Sequence, residues 1–298
     1  MSKLKFKKIS FEDFDVIKKY LDSDDCMCTD YTCGFAYMWG GVLDLQYVIS
    51  KDMLITKGTF RGGKQLFYMP CGNGKLLDAI SDIKEYCDEE NIPMEFVSVA
   101  KPHLTRLKEI YKIEYTESRD YFDYVYSAEK LASLKGRQLH QKRNHISNFK
   151  KKYPNYHYEN ITNDNIEKVK EFYNNYKNDF PARDRSEEIE RECAQFALDH
   201  MDDIGMFGAF LEIDGKVIAF TIGEQKKDVL YVHVEKADRT INGAYPVINN
   251  EFVKDCLENR KIKWVNREDD SGEEGLRKAK LSYYPEFFAE KGRVKIYM

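Results

Sequence analysis

The stretch Met206-Phe207-Gly208-Ala209-Phe210-Leu211-Glu212-Ile213-Asp214-Gly215-Lys216-Val217-Ile218-Ala219-Phe220-Thr221-Ile222-Gly223-Glu224 reads as two apolar strands joined by a tight turn. Asp214-Gly215 is the turn, because both residues tolerate the positive φ that a two-residue hairpin requires. Beyond it, Val229-Leu230-Tyr231-Val232-His233-Val234-Glu235 alternates Leu230, Val232 and Val234 with Tyr231, His233 and Glu235. A period of two puts the two sets on opposite faces of a strand. Strands over 206–213, 216–224 and 229–235 are therefore expected side by side, antiparallel, in one layer.

Helices are expected before them, at 165–176 and 186–201, with Ser186 as N-cap and Glu187 and Glu188 in the first turn. After them come a helix over 243–259, a strand over 262–265, a helix over 273–280 and strands near 287–290 and 294–297. The first half repeats this order. Helices at 11–21 and 32–39 precede strands at 45–49, 53–57 and 65–69, with Ser50-Lys51-Asp52 turning the first pair. A helix over 74–90 follows, with Leu76, Leu77, Ile80, Ile83 and Tyr86 on one face. A strand at 94–99, a helix at 102–111 and strands at 115–118 and 121–126 complete the half. The repeat is one of element order, without residue-level identity. It describes an α+β protein built on mixed central sheets.

That order is also the order of the GNAT acyltransferase fold, and its duplication resembles a tandem arrangement. The resemblance is carried by Leu134-Lys135-Gly136-Arg137-Gln138-Leu139-His140-Gln141-Lys142-Arg143-Asn144-His145, by Glu235-Lys236-Ala237-Asp238 with Ile241-Asn242-Gly243-Ala244-Tyr245 and Ile248-Asn249-Asn250-Glu251-Phe252, and by Asn266-Arg267-Glu268-Asp269-Asp270-Ser271-Gly272 with Gly275-Leu276-Arg277-Lys278-Ala279-Lys280. These stretches resemble a bacterial family similar to the C-terminal catalytic domain of phosphatidylglycerol lysyltransferase, and more distantly to Fem-type aminoacyltransferases. The resemblance implies two GNAT-like domains, at 1–130 and 131–298, the second opened by a basic helix over 135–153. It implies transfer of an acyl or aminoacyl group from a thioester or tRNA ester to an amine or hydroxyl. Acyl-CoA or aminoacyl-tRNA would then be a donor substrate, with no tightly bound cofactor. No stretch of these residues is expected to correspond to the lysyltransferase's membrane-embedded half.

Four groups of residues are candidates for the chemistry. The segment 135–153 carries seven Lys and Arg and no acidic residue, so Arg137, Lys142 and Arg143 could hold phosphates. In acetyl-CoA enzymes of this fold a loop between strand and helix takes a pyrophosphate on backbone N–H groups. Arg239, Gly243 and Ala244 fit that loop, while Asn242 stands where its first glycine would be. His233 and Glu235 could serve as general bases for an attacking amine. Tyr245 could supply a proton to the leaving group. The segment 266–280 leaves a strand end through a polar, glycine-broken loop, where α/β proteins tend to place ligands. There Asn266 and Lys280 are candidate substrate contacts, Glu268, Asp269 and Asp270 would receive a cationic amine, and Arg277 would face a carboxylate or phosphate.

Other classes find little support. The net charge of −4 argues against coating DNA through bulk charge. The longest nearly uncharged apolar stretch, 34–43, is far short of the roughly 20 residues of a spanning helix, leaving only peripheral lipid contact open. Met1–Lys8 has charge but no apolar run after it, unlike a secretory signal. Seven scattered cysteines suit reduced thiols in a cytoplasm, with Cys193 and Cys256 in the core. Cys26, Cys28 and Cys33 lack a second Cys/His pair for zinc. A second reading of the same fold, a non-catalytic RNA- or nucleotide-binding module using the basic helix, fits the residues as well.

Overall fold

The computed structural model describes residues 4–297. Residues 1–3, which begin the stretch read above as unlike a secretory signal, and residue 298 lie outside the described residues. Contacts divide the chain into two compact units, Met1–Asp123 with Asp269–Glu273 and Phe288–Met298, and Tyr124–Glu268 with Glu274–Phe287.

The first unit begins with strands β1 (Lys7–Lys8), β2 (Gln46–Ser50), β3 (Met53–Phe60), β4 (Lys64–Phe67), β5 (Cys71–Gly72), β6 (Glu95–Ala100) and β7 (Lys112–Glu117), and helices α1 (Phe14–Leu21), α2 (Cys33–Met38), α3 (Leu76–Glu90) and α4 (Lys101–Ile110). Lys51 and Asp52 turn β2 into β3 with φ of 50° and 59°, the left-handed pair a tight hairpin needs. Along α3, Ala79, Ile80, Ile83, Tyr86 and Cys87 are buried, whereas Leu77, expected on that face, is exposed.

The second unit holds β8 (Asp123–Ser127, but for its first residue), α5 (Ala128–Ser133), α6 (His140–Lys152), β9 (His157–Asn160), α7 (Ile166–Asp179), α8 (Arg185–Asp199), β10 (Phe207–Ile213), β11 (Lys216–Lys226), β12 (Val229–Ala237), α9 (Ala244–Arg260), β13 (Trp264–Asn266), α10 (Glu274–Leu281) and the first residue of β14 (Phe287–Ala289). The last strand, β15 (Lys291–Tyr297), belongs to the first unit. The two sheets run β1-β2-β3-β4-β6-β15-β7, with β5 on β3, and β14-β8-β13-β12-β11-β10-β9. Both are mixed: β4 runs parallel to β6, and β12 to β13, among antiparallel neighbours.

The expected single cut at 130/131 thus gives way to a division in five segments. Strands are held by ladder partners rather than by chain neighbours. β15, expected to close the second half, pairs with β6 and β7, and β8, expected in the first, pairs with β13. Lys291 explains why β15 is tied there: its ammonium is buried between Asp30 and Asp123, the latter at 2.9 Å.

In the second unit the expected hairpin is present, Asp214 and Gly215 turning with φ of 50° and 81°. Phe220 of β11 meets Phe172 and Tyr173 of α7 on one face, while Phe207 of β10 meets Phe252 of α9 on the other. Helix α9 is buried along most of its length and packs on β10, β11, β12, α5 and α6. Asp184 rather than Ser186 caps α8, its carboxylate accepting from Glu187 N–H at 2.9 Å.

Candidate functional site

Strand β12 is irregular where the chemistry gathers. Ile222 pairs with Val234 but Gly223 pairs with Val232, so His233 is an extra residue without a partner across the ladder. Such a bulge re-aims the side chain it carries. Gly223 makes room for it, since a Cβ there would lie 2.3 Å from the Tyr231 carbonyl oxygen.

His233 is aimed between two carboxylates. Nε2 lies 2.8 Å from Glu224 Oε1 on β11, and Nδ1 lies 2.8 Å from Glu268 Oε1 just beyond β13. Burial by itself would lower the imidazole pKa, but the two hydrogen bonds outweigh it and raise the value to about 10. The imidazolium donates both protons. The expectation of a general base at His233 is thereby corrected: the ring has no free nitrogen to accept one.

Glu235, two residues further on, faces a second set of partners. Arg267 Nη2 donates to Oε1 at 2.9 Å, and Asn249 Nδ2 of α9 donates to Oε2 at 3.0 Å. Arg267 also lies over the Tyr283 ring, 5.0 Å from its centroid, and its backbone carbonyl accepts from Lys280 Nζ at 2.5 Å. Lys280 is fixed in turn, its carbonyl accepting from Tyr126 O–H at 2.8 Å. Arg267 Nη1 and Thr221 Oγ1, the latter on the residue paired with Glu235, are buried without a hydrogen-bond partner. The start of the loop is shaped by Asn266, whose Oδ1 accepts from Glu268 N–H at 2.6 Å, letting Glu268 adopt a φ of 59°.

The segment 266–280, expected to act as one wall, is shared between the units. Asn266, Glu268, Arg277 and Lys280 belong to the second. Asp269 and Asp270 belong to the first, where Asp270 is wholly buried beside Arg119 at 3.6 Å and Asp269 accepts from Ser271 N–H at 3.0 Å. These bonds shape a turn, so the reception of an amine by a row of three acids is corrected. Lys280 is likewise spent on the Arg267 carbonyl rather than on a substrate.

The expected phosphate residues separate as well. Arg137 is exposed, whereas Arg143 clamps the Leu134 and Gly136 carbonyls and supports the loop before α6. Lys142 points inward and is treated below. At the start of α9, Gly243 has a φ of 94°, and a Cβ would meet Phe149 Cβ of α6 at 2.9 Å. Ala244 N–H already donates to the Ile241 carbonyl at 3.2 Å. Arg239 donates to the Tyr176 hydroxyl at 3.0 Å and lies over Phe180. The geometry is that of a packed helix start, with its glycine used for close approach. Burial and the adjoining Tyr176 push the Tyr245 phenol well above the usual range, and the charge of Glu235 adds to the rise.

Glu224, Asn249, Arg267 and Tyr283 were missed as site residues in the sequence. A signal existed for one: Asn249, with Asn250, interrupts an otherwise apolar helix face. Asn250 serves structure, donating to the Leu131 and Ala132 carbonyls at 2.8 Å each. Among the described residues no group of His, Cys, Asp and Glu is arranged to hold a metal ion, and no helix is long and apolar enough to cross a membrane.

Two mixed sheets with flanking helices, each carrying the GNAT order, define a tandem GNAT-like fold. A tandem GNAT protein from the clavulanic acid biosynthesis pathway shares it at a TM-score of 0.50 and 8% identity, over 98% of each chain. The sequence pattern of the family described as phosphatidylglycerol lysyltransferase, C-terminal, matches residues 28–291, and the chain belongs to that family. A conserved protein of unknown function from Bacteroides thetaiotaomicron is similar at 34% identity and a TM-score of 0.89, over 98% of this chain and 99% of that one. The C-terminal domain of a putative lysylphosphatidylglycerol synthetase from Agrobacterium fabrum is similar in fold, with a TM-score of 0.68 and 12% identity over 96% and 92%. An uncharacterized Mycoplasmoides gallisepticum protein is 26% identical over 178 residues, 58% of this chain; the match spans about 56% of that relative's length.

Proposed function

We propose that the protein is an aminoacyltransferase that moves an aminoacyl group from a tRNA ester to an amine or hydroxyl acceptor. The observation that carries this reading is Glu235, held from both oxygens by Arg267 and Asn249, with the Tyr245 phenol within reach of its charge. Aminolysis of an ester needs a group to take the proton of the attacking nucleophile and one to protonate the departing ribose oxygen. Glu235 takes the first, and Tyr245 gives the second and is later reprotonated from Glu235. Positioning lowers the barrier, and no covalent intermediate is needed. The filled helix start at Gly243 and Ala244 favours a tRNA ester over a coenzyme A thioester.

The test is direct. Purified protein is mixed with tRNA carrying a labelled amino acid and with candidate acceptors, phosphatidylglycerol first because the family description names it, and acetyl-CoA is run in parallel. Label should move from tRNA to acceptor faster than it is lost by hydrolysis, and the Glu235→Gln variant should transfer at least tenfold more slowly. Transfer from acetyl-CoA alone would overturn the choice of donor. RNA binding without transfer would favour the non-catalytic module, a reading supported by the exposed Lys135, Arg137, Lys151 and Lys152 around α6.

A further inference from the structure

Of the seven cations in 135–153, Lys142 has an unusual setting. It shares the inward face of α6 with Ile146 and Phe149, both buried, whereas Lys135, Arg137, Lys151 and Lys152 are exposed. Its ammonium lies 4.1 Å from the centroid of the Tyr283 ring. The Arg267 guanidinium lies 5.0 Å from the same centroid. Two cations thus share one aromatic ring. Arg267 is matched by Glu235, but among the described residues no carboxylate lies within ion-pair distance of Lys142. Burial, and then the nearby Arg267, lower the Lys142 pKa.

A half-buried ammonium with a second cation beside it is costly unless something negative joins them. A cation–π contact contributes about 0.5–2 kcal/mol and leaves the charge unbalanced. The donors are also in surplus. Lys142 offers its ammonium protons, Arg267 Nη1 has no partner, and burial pushes the Tyr283 phenol up to about 12, so it keeps a proton to give. Two cations against one carboxylate leave one positive charge over.

We propose that Lys142, Tyr283 and Arg267 form a binding site for a singly charged oxyanion, a phosphodiester or a carboxylate. The site goes beyond the transfer reaction, and it is tested by binding alone, so failure of either reading leaves the other standing. Protein labelled with ¹³C in lysine side chains is titrated with dimethyl phosphate and, separately, with sodium acetate. Sodium chloride at matched ionic strength is the control. One lysine resonance, identified by its loss in Lys142→Met, should shift saturably with at least one oxyanion. Affinity should fall at least tenfold in Lys142→Met, whose thioether can still pack on the ring, and stay within about threefold in Lys142→Arg. The ligand should also raise the Lys142 pKa in the unaltered protein, a reading that needs no variant. Response to dimethyl phosphate alone assigns a phosphodiester, and response to acetate alone a carboxylate. A shift that chloride reproduces, or no saturable shift with either oxyanion, would overturn the proposal.

Discussion

His233 carries a carboxylate on each ring nitrogen, and that makes its charge state a measurable contributor to stability. Its folded pKa of about 10 lies above the ordinary value of 6.5, so the folded protein holds the proton more tightly. The stabilisation is fully present below about pH 6.5 and is lost as pH rises towards 10. Chemical denaturation between pH 6 and 10 should show stability falling over this interval, and His233→Gln should flatten that part of the profile. An unchanged slope in the variant would mean that other groups set it. Glu235→Gln belongs to the same scale. The neutral amide leaves the Arg267 guanidinium without its counter-charge, at a cost of about 1–3 kcal/mol by denaturation. It should slow transfer at least tenfold, equivalent to about 1.4 kcal/mol in the barrier.

At the scale of the element, the bulge in β12 depends on a residue in the next strand. Gly223→Ala would place a methyl against the Tyr231 carbonyl oxygen, so the ladder must shift or the bulge must move. Overpacking of this kind costs about 1–3 kcal/mol, and a shifted bulge would withdraw His233 from Glu224 or Glu268. The expected result is a lower Tm together with a shallower pH profile. A destabilised protein with the parental pH profile would separate the glycine from the histidine's placement. Helix α6 offers a second check. Arg143→Glu should destabilise the protein measurably, because the guanidinium holds the Leu134 and Gly136 carbonyls, whereas Arg137→Glu should change the Tm little.

At the scale of the whole chain, the buried Lys291 with Asp30 and Asp123 ties the last strand back to the first unit. Burial pushes the Asp123 carboxyl up to about 6, even with the lysine opposing it. Lys291→Met removes the cation that both carboxylates share, and breaking such a buried arrangement costs about 3–5 kcal/mol. Without the lysine Asp123 keeps its proton to still higher pH. The variant's deficit should therefore be smaller at pH 5 than at pH 8, which denaturation at the two values would show. An equal deficit would place the loss in packing alone.

Local chemistry made much of the fold readable. Asp214-Gly215 and the alternation in 229–235 specify a hairpin and its neighbour because turn geometry and side-chain period act over a few residues. The same holds for the long helices and for the repeated order that marks two mixed sheets. Glu235 and Tyr245 could be singled out as candidates because the stretches that carry the resemblance include them. The sequence could not decide which sheet takes β8 and which takes β15, since ladder pairing between distant segments is paid for by the fold as a whole. Nor could it show that Asp270 and Lys280 are spent on structure, or that His233 is a cation rather than a base. Those roles follow from burial and from partners far along the chain, 35 residues away for His233 and Glu268 and 154 for Tyr126 and Lys280. A residue type names what a side chain can do; only its neighbours in three dimensions set its protonation and leave it free or engaged.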